Sequence, residues 1–175
     1  MAMSWSHTVL YVKDTEKMLD FYTRVMGFHI TDRGMIGNRT SEIIFLSQDP
    51  NEHHQIGMLP VRKDVGASNS VAHIAFRIEG LTELRGLITA LRGESIEMRP
   101  TSHGNTWSIY FQDPEQNGIE VFCDTPWHVS QPAGKLWDMD ADDATLMAWT
   151  KQEFEGEPGF EARDAFHKRL AETLN

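Results

Sequence analysis

The sequence predicts an α+β fold: two βαβββ modules in tandem, followed by a C-terminal helical extension. Three observations predict it. A short pattern recurs in the first two thirds of the chain. Hydrophobic spacing passes from strand-like to helix-like and back in the same order in each copy. The composition changes after Pro126.

The recurring pattern begins with Ser6-His7-Thr8-Val9-Leu10-Tyr11-Val12 and returns as Ala72-His73-Ile74-Ala75-Phe76-Arg77-Ile78, both strand-like and both with histidine second. A helix-like segment follows each. In the first, Met18, Phe21, Tyr22 and Val25 fall at i, i+3, i+4 and i+7, with Asp14 as a candidate cap and Gly27 as the stop. In the second, Leu81, Leu84, Ile88 and Leu91 form the stripe and Gly93 ends it. His7 to His73 and Gly27 to Gly93 share one offset, 66 residues, which points to duplication. Three strand-like stretches then follow in each copy: 28–32, 41–46 and 55–61 in the first, 96–99, 107–112 and 118–124 in the second. The modules are read at about 5–61 and 71–124 within a domain of residues 1–125, with residues 62–70 linking them.

Residues 126–175 form the extension. Residues 144–154 and 161–174 have helical spacing, and the four aspartates in 138–143 read as a solvated helix start. Trp127, Trp137, Trp149, Phe154, Phe160 and Phe166 are too many large aromatics for a solvated tail, so it is expected to pack on the domain or on a partner subunit. The net charge of −10 disfavours nucleic acid and anionic lipid as partners. Cys123 is the single cysteine, and residues 1–6 lack the charged and apolar regions of a signal peptide, so a cytoplasmic protein is expected. No P-loop or dinucleotide-binding glycine pattern occurs.

Strand alternation puts His7, Val9 and Tyr11 on one face and Leu10 and Val12 on the other, core-facing side. The second module repeats this, with His73, Ala75 and Arg77 opposite Ile74, Phe76 and Ile78. Alone, either histidine reads as an ordinary hydrogen-bonded residue; equivalent places in a repeat favour shared work. Further on, Asp113-Pro114 and Asn117-Gly118 are turn signals that make Gln112 and Gly118 the first pair of a hairpin. Counting back sets Tyr110 opposite Glu120. Glu120 lies among Ile119, Val121 and Phe122, where a carboxylate needs a cation or a metal unless its strand is an edge open to water. Two histidines and one carboxylate make a face of three ligands with open positions, the pattern of non-haem Fe(II) oxygenases.

The chain resembles the vicinal-oxygen-chelate superfamily of glyoxalases, bleomycin-resistance proteins and dioxygenases. Within it, the chain is most similar to a single-domain type I extradiol dioxygenase of the catechol 2,3-dioxygenase kind. The resemblance covers about residues 5–125, through the stretches around His7, His54, His73, His103 and the segment from Ser108 to Phe122. It implies a curved mixed sheet around a metal held by His7, His73 and Glu120. It also implies an acid–base role for His54, a substrate- or oxygen-binding role for His103, and a hydrogen bond from Tyr110 to bound catecholate. Fe(II) is the implied cofactor, with Mn(II) suiting the same ligands. The implied reactants are a small aromatic diol and dioxygen, and a homo-oligomer is expected.

Other members of the superfamily remain as alternatives. A glyoxalase needs a further glutamate ligand, and the equivalent triplet here is Ile56-Gly57-Met58. Fosfomycin-resistance transferases carry threonine two residues after the first histidine, where this chain has Val9. Bleomycin-binding relatives usually lose the ligands that this chain keeps. His29, His53, His128 and His167 read as surface or structural residues.

Overall fold

The computed structural model describes residues 7–35, 41–49, 54–62 and 73–174. Apart from Arg62, the expected linker at 62–70 lies outside the described residues, as do residues 1–6 and His53. The fold is mixed α+β, with curved mixed sheets and four helices among the described residues. The chain divides into two compact units, residues 1–72 with 113–117, and residues 73–112 with 118–175.

The first unit runs β1 (Thr8–Tyr11), α1 (Thr15–Asp20), a π-helical turn (Phe21–Val25), β2 (His29–Met35), β3 (Glu42–Ser47) and β4 (Ile56–Leu59). The strand order is β1-β4-β3-β2, with β1 parallel to β4 and the other pairs antiparallel. Asp14 caps α1 by accepting from the Lys17 amide at 3.1 Å. Gly27 ends the helical run in the left-handed region (φ 76°), which lets the Phe28 amide return to the Tyr22 carbonyl at 2.8 Å. Val12, Met18, Tyr22, Leu46, Ile56 and Met58 are fully buried and form the core. Val9 and Tyr11, on the opposite face of β1, stay exposed as alternation requires.

The loop 113–117 is held within this unit by one carboxylate. Asp113 is buried and accepts from the amides of Glu115 and Asn117, from the Asn117 side chain at 2.7 Å, and from the Tyr22 hydroxyl at 3.2 Å. Burial raises the pKa of both Asp113 and Tyr22 above their ordinary values, and the Asp113 charge adds to the rise at Tyr22. Glu115 accepts from the amides of Lys13 and Asp14 and pairs with Arg62 at 3.0 Å.

The second unit opens with β5 (Ile74–Arg77), α2 (Leu81–Gly93), β6 (Arg99–Ser102), β7 (Thr106–Gln112) and β8 (Gly118–Asp124). It continues through β9 (Trp127–His128), β10 (Lys135–Leu136), α3 (Asp143–Phe154), β11 (Glu161–Ala162) and α4 (Arg163–Leu174). The sheet order is β10-β6-β7-β8-β5, and β9 pairs separately with β11. Leu84, Ile88 and Leu91 are buried, as the stripe on α2 predicts.

Two sequence expectations shift here. The strand expected at 96–99 forms at Arg99–Ser102 instead. Gly93 is the last helical residue, but the left-handed turn falls on Ser95 (φ 57°), and the Ile96 amide returns to the Leu91 carbonyl at 3.0 Å. Residues 94–96 are used in stopping the helix, so pairing with β7 starts at Arg99, opposite Tyr110. The helix expected at 161–174 begins at Arg163, because Glu161 and Ala162 pair with β9.

The extension packs on the second module. Trp137 is buried, its indole N–H donating to the Ser108 carbonyl at 3.0 Å. The indole N–H of Trp107 donates to Thr150 on α3 at 2.8 Å. Trp127 is half-buried and stacks on Phe160, and Trp149 is half-buried against Phe154. The aspartate run meets two arginines of α2: Arg85 binds Asp143 and the carbonyls of Met139 and Ala141, and Arg92 binds Asp140. Asp142 caps α3, accepting from the Thr145 amide at 2.8 Å. At Gly104 (φ 77°), a Cβ would stand 2.4 Å from a Val129 methyl and 3.0 Å from the Phe154 ring.

Asp113→Ala removes four acceptor contacts at once and strands the buried Tyr22 hydroxyl. It should lower unfolding free energy in urea by about 1–3 kcal/mol. Tyr22→Phe leaves Asp113 its three other donors and should lose only about 1 kcal/mol. Equal losses in the two variants would show that the loop is held by other means.

Candidate active site

The hairpin places the site's central pair. β7 and β8 pair with Gln112 opposite Gly118 and Tyr110 opposite Glu120, the register that the turn signals predict. β8 also lies parallel to β5, setting Ala75 beside Glu120. Glu120 is therefore on an interior strand, between β7 and β5, and only 8% exposed. The edge-strand reading of Glu120 is thus excluded.

Four side chains form a continuous chain of polar contacts in this unit. His73 Nε2 lies 3.2 Å from Glu120 Oε2. The Tyr110 hydroxyl donates to Glu120 Oε1 at 2.7 Å. His103 Nε2 lies 2.8 Å from the same hydroxyl, and His103 Nδ1 lies 2.6 Å from the carbonyl oxygen of Ala133. Burial, reinforced by the hydrogen bond to Glu120, holds the Tyr110 phenol well above its ordinary pKa, so it remains a hydroxyl donor at neutral pH.

Counting hydrogens constrains this chain. A carbonyl oxygen only accepts, so His103 Nδ1 carries a hydrogen. A neutral His103 ring then offers a lone pair at Nε2, and Tyr110 has one hydrogen for two neighbours. Both contacts are hydrogen bonds at once only when the set from His103 to Glu120 holds one proton beyond a neutral ring and a carboxylate.

In the first unit, the ring centroids of His7 and His54 lie 4.2 Å apart, and His54 lies 4.6 Å from Phe45. His7 is exposed just before β1, and His54 is half-buried two residues before β4, at the strand's entrance. The structure thus groups His7 with His54, and His73 with Glu120, Tyr110 and His103. Neither unit by itself gathers three His, Cys, Asp or Glu side chains into a metal-holding group among its described residues.

Strand register also identifies equivalent positions in the two modules. The residue two after His73 is Ala75, which pairs with Glu120; the residue two after His7 is Val9, which pairs with Gly57. Gly57 therefore occupies the first module's counterpart of Glu120 and carries no ligand. A Cβ there would stand 3.2 Å from a Val9 methyl.

Other titratable groups lie apart from this chemistry. Cys123 is buried, and burial pushes its thiol up to about 12, so it is no nucleophile at neutral pH. His128 stacks face to face on Phe166, with ring centroids 3.5 Å apart. Sequence reasoning missed Ala133, because it takes part through a backbone carbonyl.

Residues 4–121 match the Glyoxalase/Bleomycin resistance protein/Dioxygenase superfamily. The chain belongs to this superfamily. It is similar to biphenyl-2,3-diol 1,2-dioxygenase 2 of Rhodococcus globerulus, at 30% identity over 125 residues, 69% of this chain and 62% of the relative. The chain thus spans about three fifths of that relative's length. Among solved structures, it is similar to a glyoxylase/bleomycin resistance protein/dioxygenase domain from Frankia sp. EAN1pec, with TM-score 0.61 and 18% identity, covering 73% of this chain and 96% of that one. It is also similar to the fosfomycin resistance protein FosX of Listeria monocytogenes, with TM-score 0.54 and 23% identity, covering 71% of this chain and 96% of that one. At these identities the structural likenesses show the shared superfamily fold.

Tyr110→Phe removes the hydroxyl between His103 and Glu120. It leaves the buried carboxylate with His73 but without its tyrosine donor, and it should destabilise the chain by roughly 1–3 kcal/mol. Urea unfolding checks this, and unchanged stability would mean that the hydroxyl supports neither neighbour.

Proposed function

We propose that this superfamily member is an extradiol dioxygenase that opens a catechol-type ring next to the diol and inserts both atoms of O2. The observation that carries the reading is the interior carboxylate Glu120, bracketed by His73 and Tyr110. The similarity to a biphenyl-2,3-diol dioxygenase supports it.

The spacing of His73 and Glu120 supports a divalent metal between them. Two ligand atoms each about 2.0–2.2 Å from one ion, at right angles, stand roughly 3 Å apart. His73 Nε2 and Glu120 Oε2 stand 3.2 Å apart. In this proposal His7, His73 and Glu120 are the ligands, and Fe(II) is the metal, with Mn(II) suited to the same set. When bound, that metal supplies Lewis acidity and the capacity to pass electrons from diol to dioxygen. Tyr110 offers its one hydroxyl hydrogen to a catecholate oxygen in place of Glu120, and His103 lies beside Tyr110. His54 takes the remaining phenolic proton on its ring and returns it as the ring opens.

Gly57 speaks against a glyoxalase, since the first module's counterpart of Glu120 has no side chain to add as a ligand. The deciding experiment is anaerobic loading with Fe(II), then catechol or 2,3-dihydroxybiphenyl in air. A coloured ring-opened product is expected, and none from either diol would overturn the proposal.

Two variants separate the roles. Glu120→Ala should abolish iron binding while the chain still folds, as read by metal analysis and circular dichroism; iron retained at wild-type stoichiometry would remove Glu120 from the ligand set. His54→Gln should leave iron content and anaerobic catechol affinity nearly intact and lower turnover about 100-fold or more. Weaker catechol binding at unchanged turnover would make His54 a binding residue instead.

A further inference from the structure

We propose that the segment 131–133, in the C-terminal extension, is a positioning element that fixes His103 as its neutral Nδ1–H tautomer and so makes Nε2 a second acceptor, beside Glu120, for the one Tyr110 hydrogen. This segment lies outside the residues 4–121 that match the superfamily. The consequence for turnover rests on the ring-cleavage reading; the tautomer does not.

The geometry begins at Gln131. Its side-chain amide donates to the His103 carbonyl at 2.8 Å and also reaches Asn105 Oδ1 and the Val129 carbonyl, each at 3.2 Å. Its side-chain oxygen accepts from the Ala133 amide at 3.0 Å. One exposed side chain thus ties the turn at His103 to the backbone of the tail. Asn105 Oδ1 accepts from the Val129 amide at 2.8 Å, which anchors the segment on its N-terminal side. On its C-terminal side the chain enters β10, where Lys135 pairs with Ser102 and Leu136 with Thr101, next to His103. Held at both ends, the backbone presents the Ala133 carbonyl to His103 Nδ1 at 2.6 Å.

That contact selects the tautomer, because a carbonyl cannot donate. A histidine's second ring nitrogen is commonly directed by the partner of the first. Here the partner is a backbone atom, which no substitution of Ala133 removes while the segment keeps its path. Gln131 and Asn105 are therefore the side chains through which the effect is testable.

The test is 15N NMR of the histidine rings in the metal-free 175-residue chain at pH 8, with His103→Asn used to assign the His103 signals. The wild-type protein should show a protonated Nδ1 and an unprotonated Nε2 at His103. Gln131→Ala should shift His103 toward the Nε2–H form or a mixture. Asn105→Ala loosens the same segment from its other side and should do likewise; it serves if Gln131→Ala fails to fold. A wild-type His103 protonated at Nε2 would overturn the proposal. So would a tautomer unchanged in both folded variants. With Fe(II) and a catechol, Gln131→Ala should lower kcat about 10–100-fold, the usual effect of losing a residue that orients an active-site group, with KM little altered. A wild-type protein that shows the expected tautomer yet opens no catechol would sink the ring-cleavage reading and leave the positioning role standing.

Discussion

A carboxylate in the middle of an apolar strand is the constraint around which the second unit is arranged. Glu120 sits between Ile119 and Val121, both buried to within 1% of full burial. Such a group must meet donors or a cation. The hairpin register brings Tyr110 opposite it, and the parallel pairing with β5 brings in the strand that follows His73. Tyr110 then needs its own support, which His103 provides, and His103 needs a partner at Nδ1, which the Ala133 carbonyl provides. Each step away from Glu120 recruits a more distant part of the sequence.

The early links of this chain were legible in the sequence, and the last was not. Asp113-Pro114 and Asn117-Gly118 fixed the hairpin, so the pairing of Tyr110 with Glu120 followed from counting. The histidine repeat predicted the β1 and β5 faces, since alternation depends only on the two-residue period of a strand. Asp14 and Gly27 act as cap and stop because their chemistry is local. The strand at Arg99–Ser102 was misplaced because Ser95, not a glycine, takes the left-handed position after α2. The contact with Ala133 joins residues 30 apart through a backbone atom, and side-chain patterns carry no record of such a contact.

The modules share a plan but not a chemistry. Register makes Gly57 and Glu120 counterparts, yet one offers no side chain and the other the central carboxylate. Both are buried, and their requirements differ. Glu120 needs polar company, whereas Gly57 needs only space beside the Val9 methyl groups and the Phe45 ring. The two modules offer equivalent strand frames, and a single position decides which frame carries the charge.

Gly104 ties the seating of the extension to the turn beneath it. Val129 and Phe154 occupy the space that any side chain at position 104 would need, and the turn there has positive φ. A homologue with a larger residue at this position could keep its own fold, but it could not seat this tail in this place. Glycine at 104 and the extension should therefore be inherited together, and a chimera that grafts residues 126–175 onto a relative must bring the glycine with them.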